Sequence, residues 1–323
     1  MASFLSVSKY YLELRNHVSW NKGITHVTEK IFELPYYNQF TSIYLNIASC
    51  VKPPKNVQSV TISSKFDSFQ IKAFGDHHLP CLTDLVLLEK LDLMLLNYLF
   101  TIKTLKSVSI GELFGGVSHR NIRWPENIET LQFGNILGLD ADRLPNNVKK
   151  IVVHSCFVIN SLPSTLEDLS ITQSITYNPL PGVLPPSLKK LYYASPASLQ
   201  IEKDVLPEGL EELSLVGEYD QPIFFQTIPK TVKKITFGHK FDHLLDALPD
   251  SVEYITLGIG YTQSLENQVL PKEIKEIYHQ GQLVIYHYKP FFYKEDLNPK
   301  EDPTSTWGYY SQQYNGVIRS SFF

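Results

Sequence analysis

Cysteine is scarce in this 323-residue chain, with only Cys50, Cys81 and Cys156. Three widely spaced thiols build neither a disulfide framework nor a zinc ribbon, and we expect a reducing compartment. Charge of one sign is missing too. Lys and Arg number 29 against 33 Asp and Glu, for a formal net charge of −4. That balance excludes a nucleic-acid binder driven by phosphate neutralisation, which needs a basic surplus or a basic face. Long hydrophobic runs are absent as well. The most apolar stretch, Leu85 to Phe100, is broken by Glu89, Lys90 and Asp92 and is too short to span a bilayer. Met1 to Trp20 has no apolar segment behind a basic start. No membrane association is expected, and the expected location is the cytoplasm, a host's cytoplasm for a viral chain.

Catalytic signatures are missing in the same way. There is no GxGxxG or Walker loop and no GxSxG elbow. His239 and His243 stand four apart without the Glu of a zincin, and His77-His78 and the lone cysteines read as loop or core residues. Asp and Glu form no visible pair across a cleft. We therefore expect no enzyme, no cofactor and no metal.

What the chain does have is a repeat. Apolar residues make up 43% of it, enough for a sizeable core. A Leu-Pro unit recurs as Leu-Pro-Asn-Asn-Val-Lys-Lys-Ile-Val-Val (144–153), Leu-Pro-Ser-Thr-Leu-Glu-Asp-Leu-Ser-Ile (162–171) and Leu-Pro-Pro-Ser-Leu-Lys-Lys-Leu-Tyr-Tyr (184–193). Further copies start at Trp124, Leu206, Ile228, Leu248 and Leu270, with weaker ones at Pro54–Ile62, Pro80–Leu87, Lys103–Ile110 and Pro35–Leu45. The first apolar anchor of each unit falls at Val57, Leu82, Leu105, Ile128, Val148, Leu166, Leu188, Leu210, Val232, Val252 and Ile274, in steps of 18 to 25 residues. Such a step has no room for a two-helix repeat, but it suits one short strand and a return path. The predicted fold is a β-rich solenoid, a leucine-rich-repeat-like right-handed coil with one short parallel strand per repeat of about 22 residues.

Each residue type in the unit has a local reason. Proline fixes φ and lacks an N–H, which suits the bend entering a strand. Two residues on come turn formers, Asn56, Asn127, Asn147, Thr165, Ser187, Gly209, Thr231 and Ser251, whose side chains can bond nearby backbone. Apolar residues then alternate as in a strand buried on one face. Gly134, Gly217, Gly238 and Gly258 follow closely, where the coil is expected to turn away.

Stacking has an independent signature. The residue after the anchor reads Glu129, Lys149, Glu167, Lys189, Glu211, Lys233, Glu253, Lys275, alternating in sign throughout. In-register parallel strands about 4.8 Å apart would bring these together, where opposite charges help and like charges hurt. The ladder is thus read as structural, with a charged binding strip as the competing reading. Gln132, Val152, Ser170, Tyr192, Ser214, Thr236, Thr256 and Tyr278 form a column on the exposed face. With Tyr254 beside it, this uncharged strip (Gln132, Tyr192, Thr236, Tyr254, Thr256, Tyr278) is the candidate contact surface, because tyrosine gives large contact area at low entropic cost. Ordinary β-propensity would also place aromatics there.

The unit resembles the FNIP repeat, a leucine-rich-repeat variant known mainly from giant DNA viruses of the Mimivirus type and from social amoebae. Its signature is roughly L-P-x-S-L-x-x-L-x-F-G with an F-N-x-P-I-like return. Ile228–Gly238 and Leu248–Gly258 match the first half and Tyr219-Asp220-Gln221-Pro222-Ile223 the second, with looser copies at Tyr177–Leu180 and Phe241–Leu244. The likeness is good from 124 to 280 and thin from 53 to 123. It implies architecture and no reaction. Many members of that family carry an F-box in front. Phe4 to Trp20 is similar to the second half of one, with Phe4, Leu5, Val7, Tyr10 and Trp20 at the positions that resemblance marks for docking a ubiquitin-ligase adaptor. A short helical cap over the first coil is the alternative for the same residues.

Three regions follow: an N-terminal cap (1–33), the solenoid of about 11–12 repeats (34–285) and an aromatic C-terminal segment (286–323) that loses the Leu-Pro beat. That segment would cap the last coil or dock on another chain. Two functions fit the whole: a non-catalytic protein-interaction scaffold related to ubiquitin-ligase substrate adaptors, or a structural component, for instance of a virion, that associates through its tail or sheet edge.

Overall fold

The computed structural model describes residues 41–45, 54–62, 79–88, 93–112, 122–173, 180–195 and 200–286. They belong to two compact units, Met1–Leu166 and Glu167–Phe323.

In the first unit, β1 (Ser42–Leu45), β2 (Ser59–Ile62), β3 (Asp84–Leu87), β4 (Ser107–Glu112), β5 (Thr130–Leu139) and β6 (Lys150–Ile159) pair in parallel, each with the next. In the second, β7 (Asp168–Ile171), β8 (Lys190–Ser195), β9 (Glu212–Gly217), β10 (Lys234–Phe237), β11 (Tyr254–Leu257) and β12 (Glu276–His279) do the same. β13 (Gln282–Tyr286) then runs antiparallel to β12 across Gln280-Gly281, both at positive φ, the two-residue turn that matches strand twist. Each unit is a β-solenoid with one strand per coil, as the Leu-Pro period predicts.

The anchors form the spine of the core. Val57, Leu82, Leu105, Ile128, Val148 and Leu166 are buried in the first unit, and Leu188, Leu210, Val232, Val252 and Ile274 in the second. Full burial of such a side chain stabilises by roughly 1.5–3 kcal/mol. The strands add alternating pairs such as Leu213/Leu215 and Ile255/Leu257, with outward residues between them. In the second unit a stack of rings fills the return side. Phe241 lies between Tyr219 and Tyr261 at centroid distances of 6.1 and 6.2 Å, and Phe237 packs on it at 3.9 Å.

The polar residues after each proline reach further than local turn chemistry. Thr231 Oγ1 donates to Glu208 O or Leu210 O (2.6 and 2.7 Å), carbonyls of the preceding coil. Thr165 Oγ1 does the same to Asn146 O or Val148 O, and the Asn127, Asn147 and Ser251 side chains donate to Lys103, Glu126 and Val232. They tie coil to coil, where the sequence suggested local backbone. Gly209 fills the same place because a β-carbon there would lie 2.7 Å from Pro186 O.

One glycine expectation needs correction. Gly134 does not end a strand; it lies within β5, which continues to Leu139. A β-carbon on Gly134 would sit 1.5 Å from Gly111 O, so the residue is small because two coils touch backbone to backbone, not because the chain turns. The sequence also does not announce α1 (Leu93–Leu99), which occupies one return path inside the apolar stretch.

Candidate functional site

A strand buried on one face presents every second residue outward, and in-register stacking lines those residues up. In the second unit Ser170, Tyr192, Ser214, Thr236, Thr256 and Tyr278 are successive Cα partners, a single uncharged strip. Tyr192 stands between two serines and is 41% exposed. Thr236, Thr256 and Tyr278 are half-buried. Tyr254 shares the face two residues before Thr256, and the Lys275 ammonium lies 5.8 Å from its ring centroid. In the first unit Gln132 is exposed between Ser109 and Val152 in the equivalent column.

Charges beside this strip are paired. Lys189 Nζ lies 3.2 Å from Glu167 Oε2, Lys275 Nζ 2.5 Å from Glu253 Oε2, and Lys106 Nζ 3.8 Å from Glu129 Oε1. Lys106 extends the alternation one unit upstream. One column over, Lys190 Nζ meets Glu212 Oε1 at 2.6 Å. That hydrogen bond, with the Glu212 charge, holds the Lys190 ammonium above its ordinary range, and the Glu253 hydrogen bond does the same for Lys275. Lys149, Glu211 and Lys233 hold their places through backbone bonds: Lys149 N to Glu129 O, Glu211 N to Lys189 O and Lys233 N to Glu211 O. Neighbouring opposite charges cancel each other's field, so this flank is neither basic nor acidic.

His239 and His243 face carboxylates of the preceding coil instead of each other's ligand set. His239 Nε2 is 3.7 Å from Glu218 Oε1, and His243 Nε2 is 3.0 Å from Asp220 Oδ1. No group of three or more His, Cys, Asp and Glu placed to hold a metal occurs among the described residues. Next in the same column, Asp242 accepts from Thr262 N and Oγ1, both at 2.7 Å. Burial pushes the Asp242 carboxyl up, but the hydrogen bonds from Thr262 and Gln263 outweigh it and hold the group below its ordinary value. Cys156 is buried and its thiol pushed up by desolvation, and Cys81 is exposed. An open groove of about 590 Å³ in the first unit is bordered by Trp124, Asp140 and Arg143. Its polar groups serve one another: Trp124 Nε1 donates to Arg143 O, and Arg143 Nε lies 3.4 Å from Asp140 Oδ2.

Phe4, Leu5, Val7, Tyr10 and Trp20, the N-terminal cap 1–33, Cys50, His77, His78 and residues 287–323 lie outside the described residues. No helix among the described residues is long and apolar enough to cross a membrane.

Comparison with known proteins agrees with this geometry. No curated protein matches the sequence. Among solved structures the chain is similar to CroV588, described as a novel circular LRR protein structure, with a TM-score of 0.54 and 18% identity over 75% of this chain and 43% of that one. It also aligns with YopM from Yersinia enterocolitica WA-314, at a TM-score of 0.37 and 14% identity over 74% of this chain and 63% of that one. The chain thus spans less than half of CroV588 and under two thirds of YopM. At such identity the CroV588 likeness speaks to the leucine-rich-repeat fold alone. The FNIP Repeat model matches residues 199–240 and 241–278, the coils that hold the Tyr219–Phe241–Tyr261 ring stack. Residues 199–278 thus carry two FNIP repeats, wound as part of a leucine-rich-repeat-like β-solenoid.

Proposed function

We propose that this chain is a non-catalytic protein-interaction scaffold whose contact surface is the outward strip around Tyr192, Tyr254 and Tyr278. The observation that supports this most is Tyr192, exposed between Ser170 and Ser214 on a hydrogen-bonded sheet whose flanking charges are paired. An aromatic ring held on a regular sheet loses little entropy on contact, and a charge-balanced surround favours a protein over a polyanion. Proteins of repeat architecture use such extended faces.

The finer reading is a substrate-recognition subunit related to F-box ubiquitin-ligase adaptors, with Phe4, Leu5, Val7, Tyr10 and Trp20 as the docking end. Affinity capture from cells with the full chain tests both levels. The triple change Tyr192→Ala, Tyr254→Ala and Tyr278→Ala should abolish the strip's partners at unchanged melting temperature. Phe4→Ala with Trp20→Ala should remove only a ligase adaptor. Identical partner sets for wild type and triple variant would refute the strip.

A further inference from the structure

Two return paths of the second unit are built from matching residues but fold differently. An offset of 42 residues, the spacing of the two FNIP repeats, carries Tyr219 onto Tyr261, Gln226 onto Gln268 and Thr227 onto Val269. In the later copy Gln268 is buried, with φ of −105°, and closes a network. Its Nε2 donates to Tyr261 Oη at 2.8 Å and to Ser264 O at 2.9 Å, and its Oε1 accepts from Leu245 N at 2.8 Å. In the earlier copy Gln226 is exposed, with φ of 67°. Tyr219 is fully buried there, and its hydroxyl has no hydrogen-bond partner among the described residues. A left-handed residue with a β-carbon and an orphaned buried hydroxyl are each unfavourable. The conformation that Gln268 adopts would relieve both.

Thr227 holds the earlier turn open: its N and its Oγ1 both donate to Phe224 O, at 3.2 and 2.7 Å. Val269 lacks that hydroxyl, and its N donates instead to Asp246 Oδ1 of the preceding coil at 2.8 Å. The same place, three residues before the proline, is left-handed upstream at Gly182 and Asp204 (φ 82° and 64°) but not downstream at Asp246 and Gln268. Gln226 thus has the side chain of the second kind of turn and the backbone of the first, at the coil where the stack passes from one to the other. We propose that Phe224–Thr227 is a two-state turn. In its second state Gln226 leaves the left-handed region and its Nε2 donates to Tyr219 Oη, as Gln268 does to Tyr261. Rotating φ of Gln226 redirects the peptide that follows Phe225, so Phe224 and Phe225, 47% and 78% exposed, move with the turn. The Thr227 bonds oppose this rearrangement, which keeps the second state a minor one, about 1–10% of molecules. Anything that binds one arrangement of the two rings better than the other shifts this balance.

The test places 4-trifluoromethyl-phenylalanine at position 225 of the full chain and follows its fluorine resonance by relaxation-dispersion and saturation-transfer NMR, which report minor states in slow exchange. A second, exchanging state is expected in the parent chain. Thr227→Val gives the turn the residue that follows Gln268, and should raise the minor population about fivefold, the worth of one neutral hydrogen bond. Tyr219→Phe keeps the ring stack and removes the acceptor, and Gln226→Gly removes the amide and frees the left-handed conformation. Each should lower the minor population about fivefold or more. A single resonance in both the parent and Thr227→Val, or a minor state that persists unchanged in Tyr219→Phe, would overturn the proposal.

Discussion

Lys189 and Glu167 are joined twice: the Glu167 carbonyl accepts the Lys189 amide at 2.8 Å while its carboxylate lies 3.2 Å from the Lys189 ammonium. The backbone bond belongs to the coil stacking, so the side-chain ion pair is superimposed on a contact that exists without it. Both side chains are about half exposed, which places the pair at roughly 0.2–1 kcal/mol. Lys189→Glu would set carboxylates at Glu167, position 189 and Glu211 on three consecutive coils. We expect a loss of about 0.5–1.5 kcal/mol in urea unfolding at low salt, much of it regained in 0.5 M NaCl by screening, with the fold unchanged.

The inter-coil hydroxyls predict a different pattern. Thr231 Oγ1 has one hydrogen for two carbonyls of the preceding coil, at 2.6 and 2.7 Å. Thr231→Val keeps the shape and removes the donor, so we expect a loss of about 1 kcal/mol that salt does not restore. Thr231→Ser should recover most of it. Equal stability of the Val and Ser variants would show that the turn needs only the shape.

How much of this was legible beforehand follows from which residues repeat. Anchors such as Leu188 and Leu210 recur at a fixed step because every coil must fill the same core slot, and that periodicity carries the strand register with it. Gly134 misled because its cause lies in another coil: the obstacle is Gly111 O, 23 residues away in sequence, and no local rule reports it. The full length of β5 was hidden for the same reason, since a strand read as ending at Gly134 runs on beside β6. The outward strip was legible as positions through period-two alternation.

Gly134 also predicts a severe variant. Gly134→Ala would place a methyl 1.5 Å from a backbone oxygen that no rotamer change can move. The coils must separate locally, and we expect a loss of roughly 1–3 kcal/mol or more by thermal or urea unfolding. Gly182→Ala, with open space around it but φ of 82°, should cost only about 1 kcal/mol. The reverse change at the equivalent turn, Gln226→Gly, should stabilise by a few tenths to about 1 kcal/mol through relief of the left-handed strain. Equal losses for the two alanine variants would mean that backbone contact is not what Gly134 serves.

Tyr219 makes stability depend on alkaline pH. Its ring is fully buried against Phe241, and its hydroxyl has no hydrogen-bond partner among the described residues. Burial pushes the phenol well above its ordinary value of 10.0. In the unfolded chain the phenol ionises near that ordinary value, whereas in the fold it stays protonated. The unfolded state therefore gives up a proton that the folded state retains, so stability is unaffected below pH 10 and falls as pH rises above about 10. Tyr219→Phe removes this one contribution, so the fall in stability between pH 9 and 11 should be shallower than in the parent chain. At pH 7 the same variant sheds an unpaired buried hydroxyl and should be as stable as the parent, or more stable by about 1 kcal/mol. Urea midpoints at pH 7, 9, 10 and 11 for both chains check this. Parallel curves would mean that the phenol is hydrated in the folded state, contrary to its buried place in the ring stack.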